Sequence, residues 1–344
     1  MVSVIMPTFN RAYSLERAIN SVFCQSYRDW ELIIVDDGSM DNTKEIVEKY
    51  LAESNKIRFI KNNRKKGPAG ARNTGISSSK GEYIAFLDSD DEWMPNHLEE
   101  CLNALKTTGY EVCSALWKEN YYGKVAEIEK DVWYNSIFDK MLPCLGINRR
   151  EKLWVFDDRL FEHIIMTGFY CYHINTVVAS RKAIERVNGF NETYDASEDL
   201  EFMFKLIEQN NLVTVNSHHF IYYYGYDNIY AFINRNEVEL NEILTNKDYV
   251  KKLSINLKNK IKLFKETKEL VRTSNKVINK KEAEMVLNEK IFIRSLTLAC
   301  INKAIHVKIQ YLLNAALFVD SWKKFGQLLT SQFFDKKNDI LCFD

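Results

Sequence analysis

The chain has 344 residues, 46% of them hydrophobic, with 47 Lys and Arg set against 47 Asp and Glu. That apolar content supports a large buried core and excludes a disordered chain, while the balanced charge excludes a global field that would recruit nucleic acid. The length suggests one large domain with an appendage, or two domains.

Seven cysteines (Cys24, Cys101, Cys113, Cys144, Cys171, Cys300 and Cys342) are scattered and form no C-x-x-C pair, a pattern that fits reduced thiols. The opening MVSVIMPTFN lacks the pattern of a signal peptide. The most apolar stretch, residues 291–322, is broken by Arg294, Lys303, His306 and Lys308, short of the about 20 apolar residues that cross a bilayer. The expectation is a cytoplasmic protein, peripheral to the inner membrane face if it meets a membrane at all.

In chain order, residues 2–6 (VSVIM) read as a strand. Residues 14–25 read as a helix capped by Ser14, with Leu15, Ala18, Ile19 and Val22 on one face. A strand (31–37), a helix (41–53) and a strand (56–61) follow. Then come a glycine-containing loop, a helix around residues 71–79, a strand (83–87) and a helix opening on Pro95. This β-α-β-α-β-α-β-α order implies a mostly parallel sheet with helices on both faces, because parallel neighbours need crossover connections. Ligands of such sheets bind at the carboxyl ends of strands. The loops PTFNR, DDGSMD, KKGPAGARN and DSDDEW therefore meet along one edge.

Between about 118 and 170 the pattern weakens and aromatic residues crowd the chain. A buried strand is predicted over 174–180. A helix with Leu200, Met203, Phe204 and Ile207 on one face follows, with Ser197 as its cap and Glu198 and Asp199 in its first turn. From about 230 the chain is helical in character. Residues 247–281 carry twelve Lys and Arg against three Asp and Glu, which reads either as a solvated face or as a docking surface for an anionic membrane or polymer.

The four acids Asp88, Asp90, Asp91 and Glu92 stand within five residues at the exit of an apolar strand. Their mutual repulsion calls for water, a cation or a cationic ligand. The segments VSVIMPTFNR, ELIIVDDGSMDNT, GPAGARNTGI, GEYIAFLDSDDEW and SEDLEFMFKL, in that order, resemble the glycosyltransferase family 2 domain over residues 1 to about 225. The resemblance implies an α/β fold of GT-A type with a mostly parallel central sheet (1–230). Its nucleotide-binding part would be 1–117 and its acceptor-binding part 118–230. A helical C-terminal region (231–344) would serve oligomerisation or surface docking, with Leu296, Leu298, Ile301, Ile305, Leu312 and Leu313 as its apolar face.

It also implies an inverting transfer from a UDP-sugar to a hydroxyl of a glycan or polymer acceptor, in a setting such as surface-polymer assembly. Charge developing on the departing diphosphate suits a hard divalent cation, Mn²⁺ or Mg²⁺, held by carboxylates. By resemblance Asp90 and Asp88 are the metal-binding acids, with Asp88 and Ser89 also beside the nucleotide; Asp91 and Glu92 could instead cap the following helix. Pro7, Thr8, Phe9, Asn10 and Asp37 would hold uracil and ribose, Phe9 being alternatively a core residue. Gly67 and Gly70 would permit close backbone approach, and Arg72 would pair with phosphate. Lys65 stands where related sequences often have Asn. Asp199, supported by Glu198, would be the general base. The family often places a His or Arg after the last sheet strand, where this chain has only Tyr, Gly and Asp, and His218 and His219 read as packed residues. Rival readings are a catalytically inactive sugar-nucleotide-binding subunit and a receiver-like signalling domain. The latter lacks its paired acid after the first strand and its phospho-accepting Asp after the third.

Overall fold

A computed structural model describes residues 1–121, 123–127, 139, 141–148, 150–168, 172–224 and 245–301. The chain divides into two compact units, Met1–Tyr194 with Glu198–Tyr224, and Asp195–Ser197 with Gly225–Asp344.

The first unit is built on one ten-stranded sheet. Strands β1 (Val2–Thr8), β2 (Trp30–Asp36), β3 (Ile57–Lys61) and β4 (Tyr83–Phe86) alternate with helices α1 (Leu15–Phe23), α2 (Thr43–Glu53) and α3 (Pro68–Ser78). After the two-residue β5 (Glu92–Trp93) come α4 (His97–Thr108), β6 (Val112–Tyr121), β7 (Lys124–Glu127), β8 (Leu153–Val155) and α5 (Arg159–Thr167). Then follow β9 (Val178–Ser180), α6 (Arg181–Arg186), α7 (Glu198–Gln209) and β10 (Leu212–Tyr224).

The strand order is β3-β2-β1-β4-β9-β6-β10-β5, with β7 beside β6 and β8 beside β10. β1 lies between β2 and β4, parallel to both, and β2 is parallel to β3. Short β9 is inserted antiparallel between β4 and β6, while β6 and β10 run parallel to each other. The apolar runs are explained by this position. Val2, Val4, Ile5 and Met6 of β1 and Leu32 through Val35 of β2 are all fully buried, as parallel strands covered on both faces must be. Helix α3 presses so closely on the sheet that a Cβ on Gly75 would stand 2.4 Å from Ile5 Cγ2.

The β-α alternation agrees with the sequence reading to within two residues at most ends. Helix α4 differs: Asn96 is its cap and His97 its first residue, so Pro95 stands outside. The strand expected over 174–180 is shortened to β9, because Ile174–Thr176 form a single 3-10 turn. Ser14 precedes α1 without capping it; its hydroxyl instead donates to the Ser89 carbonyl at 2.9 Å, tying α1 to the acidic turn.

In the second unit, α8 (Lys247–Thr273) and α9 (Lys280–Ile301) form an antiparallel hairpin. Leu253 and Leu257 cluster with Leu298 and Ile301, and further along Lys268 donates to Asn288 at 2.7 Å and Arg272 meets Glu284. Leu296, Leu298 and Ile301, expected on a partner-facing surface, are buried within the chain itself. Ile305, Leu312 and Leu313 lie outside the described residues. No helix among the described residues is long and apolar enough to cross a membrane.

Candidate active site

The four parallel strands end at Thr8, Asp36, Lys61 and Phe86, so the loops that follow gather at one edge. The first two are stitched together. The Asp37 N–H donates to the Thr8 carbonyl at 2.9 Å, the Asn10 N–H to Ser39 Oγ at 2.9 Å, and the Met40 N–H to Asn10 Oδ1 at 2.8 Å. Asn10 takes a left-handed φ of 53° to do this, a conformation Asn tolerates. Phe9 is 37% exposed, with Lys66 Nζ 4.0 Å from its ring centroid, so it is a loop residue and not part of the core. Thr8 is buried and its Oγ1 has no hydrogen-bond partner. Pro7, still within β1, is half-buried.

Asp37 connects the second loop to the third. Its carboxylate accepts from the Gly67 N–H at 2.8 Å and from Asn62 Nδ2 at 2.6 Å. Gly67 has φ 126°, which a side chain would strain, and this turn starts α3. At Gly70 a Cβ would sit 1.9 Å from the Lys65 carbonyl oxygen, so the close backbone approach there is the loop's own.

Arg72, one helical turn into α3, departs most from expectation. Its guanidinium is buried and spans two motifs, donating to Asp88 at 2.7 Å and to Glu198 at 2.8 Å. Burial works against its charge, but Asp88 and Glu198 outweigh that and hold its pKa above the ordinary arginine range. It therefore binds the acidic turn after β4 to the acidic start of α7, instead of presenting a free fork to phosphate. Glu198, also buried, is accounted for by this pair.

Asp199 keeps partial solvent exposure while its carboxyl is ringed by protein. Burial first, then the neighbouring Glu198 charge, push it up to about 7, with Arg72 opposing. Ser197, leading into Glu198, has φ 66°, a left-handed conformation rare for serine.

The acids after β4 divide by environment. Asp88 (26% exposed) and Asp90 (21%) stay partly in solvent, and Asp90 meets Arg11 at 3.2 Å. Asp91 is fully buried, accepting from Asn175 Nδ2 at 2.5 Å and from the Tyr223 N–H at 2.9 Å. Its pKa is raised well above the carboxylate range by burial and by Asp90 and Asp88. Glu92 accepts from the Tyr223 hydroxyl at 2.9 Å. Neither Asp91 nor Glu92 caps α4. Asp88 and Asp90, two residues apart, offer the hard carboxylate oxygens that suit Mg²⁺ or Mn²⁺.

Sequence reasoning missed the residues that hold this turn. Asn175 accepts from the Asp88 N–H at 3.1 Å, binds Asp91, and through its carbonyl accepts from Trp93 Nε1 at 2.6 Å. Arg17 donates to the Asp90 carbonyl and lies 3.6 Å from the Tyr223 ring centroid. His173 packs among Trp117, Phe220 and Tyr222, its pKa lowered by burial to about 4. Asn175 is 84 residues from Asp91 and Tyr223 is 132 away, beyond the reach of local periodicity.

The profile described as Glycosyl transferase family 2 matches residues 3–163. An Escherichia coli protein named UDP-Glc:alpha-D-GlcNAc-diphosphoundecaprenol beta-1,3-glucosyltransferase WfgD is 44% identical over 219 residues, 63% of this chain and 73% of that one. A Campylobacter jejuni GalNAc(5)-diNAcBac-PP-undecaprenol beta-1,3-glucosyltransferase is 43% identical over 28% of this chain and 32% of its own length. Among solved structures, Staphylococcus aureus TarS 1-349 in complex with UDP-GlcNAc aligns over 96% of this chain and 84% of that one, with TM-score 0.60 and 18% identity. The Pyrobaculum calidifontis mannosyltransferase PcManGT with GDP-Man and Mn2+ aligns over 98% and 88%, with TM-score 0.52 and 14% identity. The fold is that of the GT-A glycosyltransferases, a mostly parallel sheet followed by a helical C-terminal part. The chain belongs to glycosyltransferase family 2 and is a glycosyltransferase.

Proposed function

We propose that the protein transfers glucose from UDP-glucose, with inversion, to a hydroxyl of a lipid-diphosphate-linked glycan that is a precursor of a surface polysaccharide. The Arg72 fork carries this reading, because it joins the acids proposed for the donor side, Asp88 with Asp90, to the Glu198-Asp199 pair proposed for the acceptor side. The names of two relatives as beta-1,3-glucosyltransferases acting on diphosphoundecaprenol-linked glycans support the choice of donor and acceptor.

Asp199 is the general base. A carboxyl held near 7 is matched to taking a proton from an attacking hydroxyl at neutral pH. Attack by that hydroxyl on the anomeric carbon, opposite the departing UDP, turns an α-linked donor into a β-linked product. Asp88 and Asp90 would hold a divalent cation, which when bound would neutralise charge on the diphosphate. Asp37 and Phe9 receive the uracil, the carboxylate accepting an N–H and the ring lying against the base. The acceptor's lipid brings the reaction to a membrane surface, where the exposed Lys247, Lys251 and Lys258 of α8 favour anionic headgroups.

The test is UDP release from a panel of UDP-sugars with Mn²⁺ or Mg²⁺ and a GlcNAc-diphospholipid acceptor, with the product linkage assigned by NMR. UDP-glucose with a β-linked product is expected. An α-linked product, or unimpaired turnover by Asp199→Asn, overturns the base assignment; turnover unaffected by EDTA overturns the cation.

A further inference from the structure

Behind the acidic turn, away from Asp88 and Asp90 in the ligand chemistry it offers, lies a buried group of side chains that the transfer reaction does not use. His97 and Cys101 stand one turn apart on α4, and His219 comes from β10. All three are buried. The pairing of β10 with β6 shifts register on either side of His218, a bulge, and such irregularities re-aim side chains. The Nδ1 atoms of the two histidines are 3.2 Å apart, and Cys101 Sγ lies 3.6 Å from one and 3.9 Å from the other.

Those edges have the size of one face of a coordination tetrahedron. With Zn–N near 2.0–2.1 Å and Zn–S near 2.3 Å, a tetrahedral site separates two nitrogens by about 3.3 Å and nitrogen from sulfur by about 3.6 Å. The surrounding contacts set the tautomer such a site requires. His219 Nε2 lies 3.0 Å from a Glu100 carboxylate oxygen, which only accepts, so Nε2 carries the proton and the Nδ1 lone pair of the neutral ring turns toward His97 and Cys101. The Ser217 hydroxyl, 2.8 Å from the same nitrogen, reinforces that orientation. His97 Nε2 is buried with no hydrogen-bond partner. A metal on His97 Nδ1 would use both facing lone pairs and set the His97 proton on Nε2. Burial keeps both imidazoles in the neutral, ligating form.

We propose that His97 Nδ1, Cys101 Sγ and His219 Nδ1 form a structural site for one Zn²⁺ ion. Binding releases the Cys101 thiol proton to solvent, and the thiolate with the Glu100 carboxylate balances the two positive charges. The site fastens the segment that leaves the acidic turn. The Met94 N–H donates to the His219 carbonyl at 2.8 Å, and the Trp93 ring packs on His97 with centroids 4.5 Å apart while its Nε1 holds Asn175. Zinc at this point would clamp α4 to β10 directly behind the acids that face the donor.

The full chain, loaded with Zn²⁺ and desalted, is expected to retain one zinc per chain by elemental analysis. Exchange for Co²⁺ should produce a sulfur-to-cobalt charge-transfer band in the near ultraviolet. Cys101→Ala should lose the band and the retained zinc, and Asp90→Asn should keep both, which separates this site from the proposed catalytic cation. Should Cys101→Ala not fold, X-ray absorption of the zinc-loaded wild type decides, with one sulfur and two nitrogens in the shell. No retained zinc, an all-oxygen shell, or a band indifferent to Cys101→Ala overturns the proposal.

Discussion

The acidic turn after β4 and the acidic start of α7 use the same residue types, and in each the two neighbouring acids part company. Asp90 is partly exposed and salt-bridged to Arg11, while adjacent Asp91 is sealed beneath Asn175 and Tyr223. Glu198 is locked to Arg72, while adjacent Asp199 is left with a proton affinity near neutrality. Environment separates them: in each pair one acid is buried and the other keeps partial exposure. The sharpest break of that comparison is Asp199→Asn, expected to lower kcat by about 10²–10⁴, the range of a lost general base, with donor binding retained. In the wild type, kcat/KM should fall tenfold per pH unit below about 7 and level off above it, since the base works deprotonated. The stability sign runs the other way. A raised carboxyl pKa means the folded chain keeps a proton that the unfolded chain releases, so this group's contribution declines as pH rises from 3.8 to about 7. Asp199→Asn should therefore unfold at higher temperature than wild type at pH 8, even as its turnover falls.

Arg72 belongs to both regions, so its loss should affect both. Arg72→Met strands Glu198 in a buried setting and should cost about 3 kcal/mol in denaturant unfolding, the scale of removing one partner of a buried pair. Because Arg72 holds the Asp199 pKa down, the same variant should move the acid limb of the pH profile upward. A residue with only a packing role would leave that limb in place. Asp91→Ala should cost about 2 kcal/mol, since the Tyr223 N–H and the Asn175 amide lose their acceptor, and should leave the Mn²⁺ dependence of turnover unchanged. A changed metal requirement would return Asp91 to the donor-side acids.

Much of this was legible before the structure. The alternation of β1 through α4 follows from uninterrupted apolar runs, which only doubly covered parallel strands require, and the loops at their ends follow from that topology. What was hidden depends on pairings between distant segments. Arg72 was expected to meet phosphate because a guanidinium in a glycine-containing loop suits an anion. That its anions are Asp88 and Glu198 could not be known until α7 was placed beside α3. From the sequence Asn175 reads only as part of a strand, because nothing local marks a side chain whose partners lie 84 and 87 residues away. Ser14 read as a helix cap by residue type, yet its hydroxyl is taken by the Ser89 carbonyl across the sheet edge.

The smallest expected effect tests the proposed uracil contact. Phe9 could be packed or could wait for a base, and the two roles separate in measurement. A core phenylalanine truncated to alanine costs about 3–5 kcal/mol. Phe9 is 37% exposed and its ring is covered on one side by the Lys66 ammonium, so truncation should change the unfolding midpoint little. Stacking against a nucleobase contributes about 1–3 kcal/mol, and a ring this exposed should stand at the low end. Phe9→Ala is then expected to raise the KM for the UDP-sugar about fivefold with kcat unchanged, the signature of uniform binding lost from ground and transition states alike. Phe9→Trp, which keeps the stacking face, should restore most of it. A fall in stability with KM unmoved would instead make Phe9 part of the scaffold, and the loop after β1 would lose its place in donor recognition.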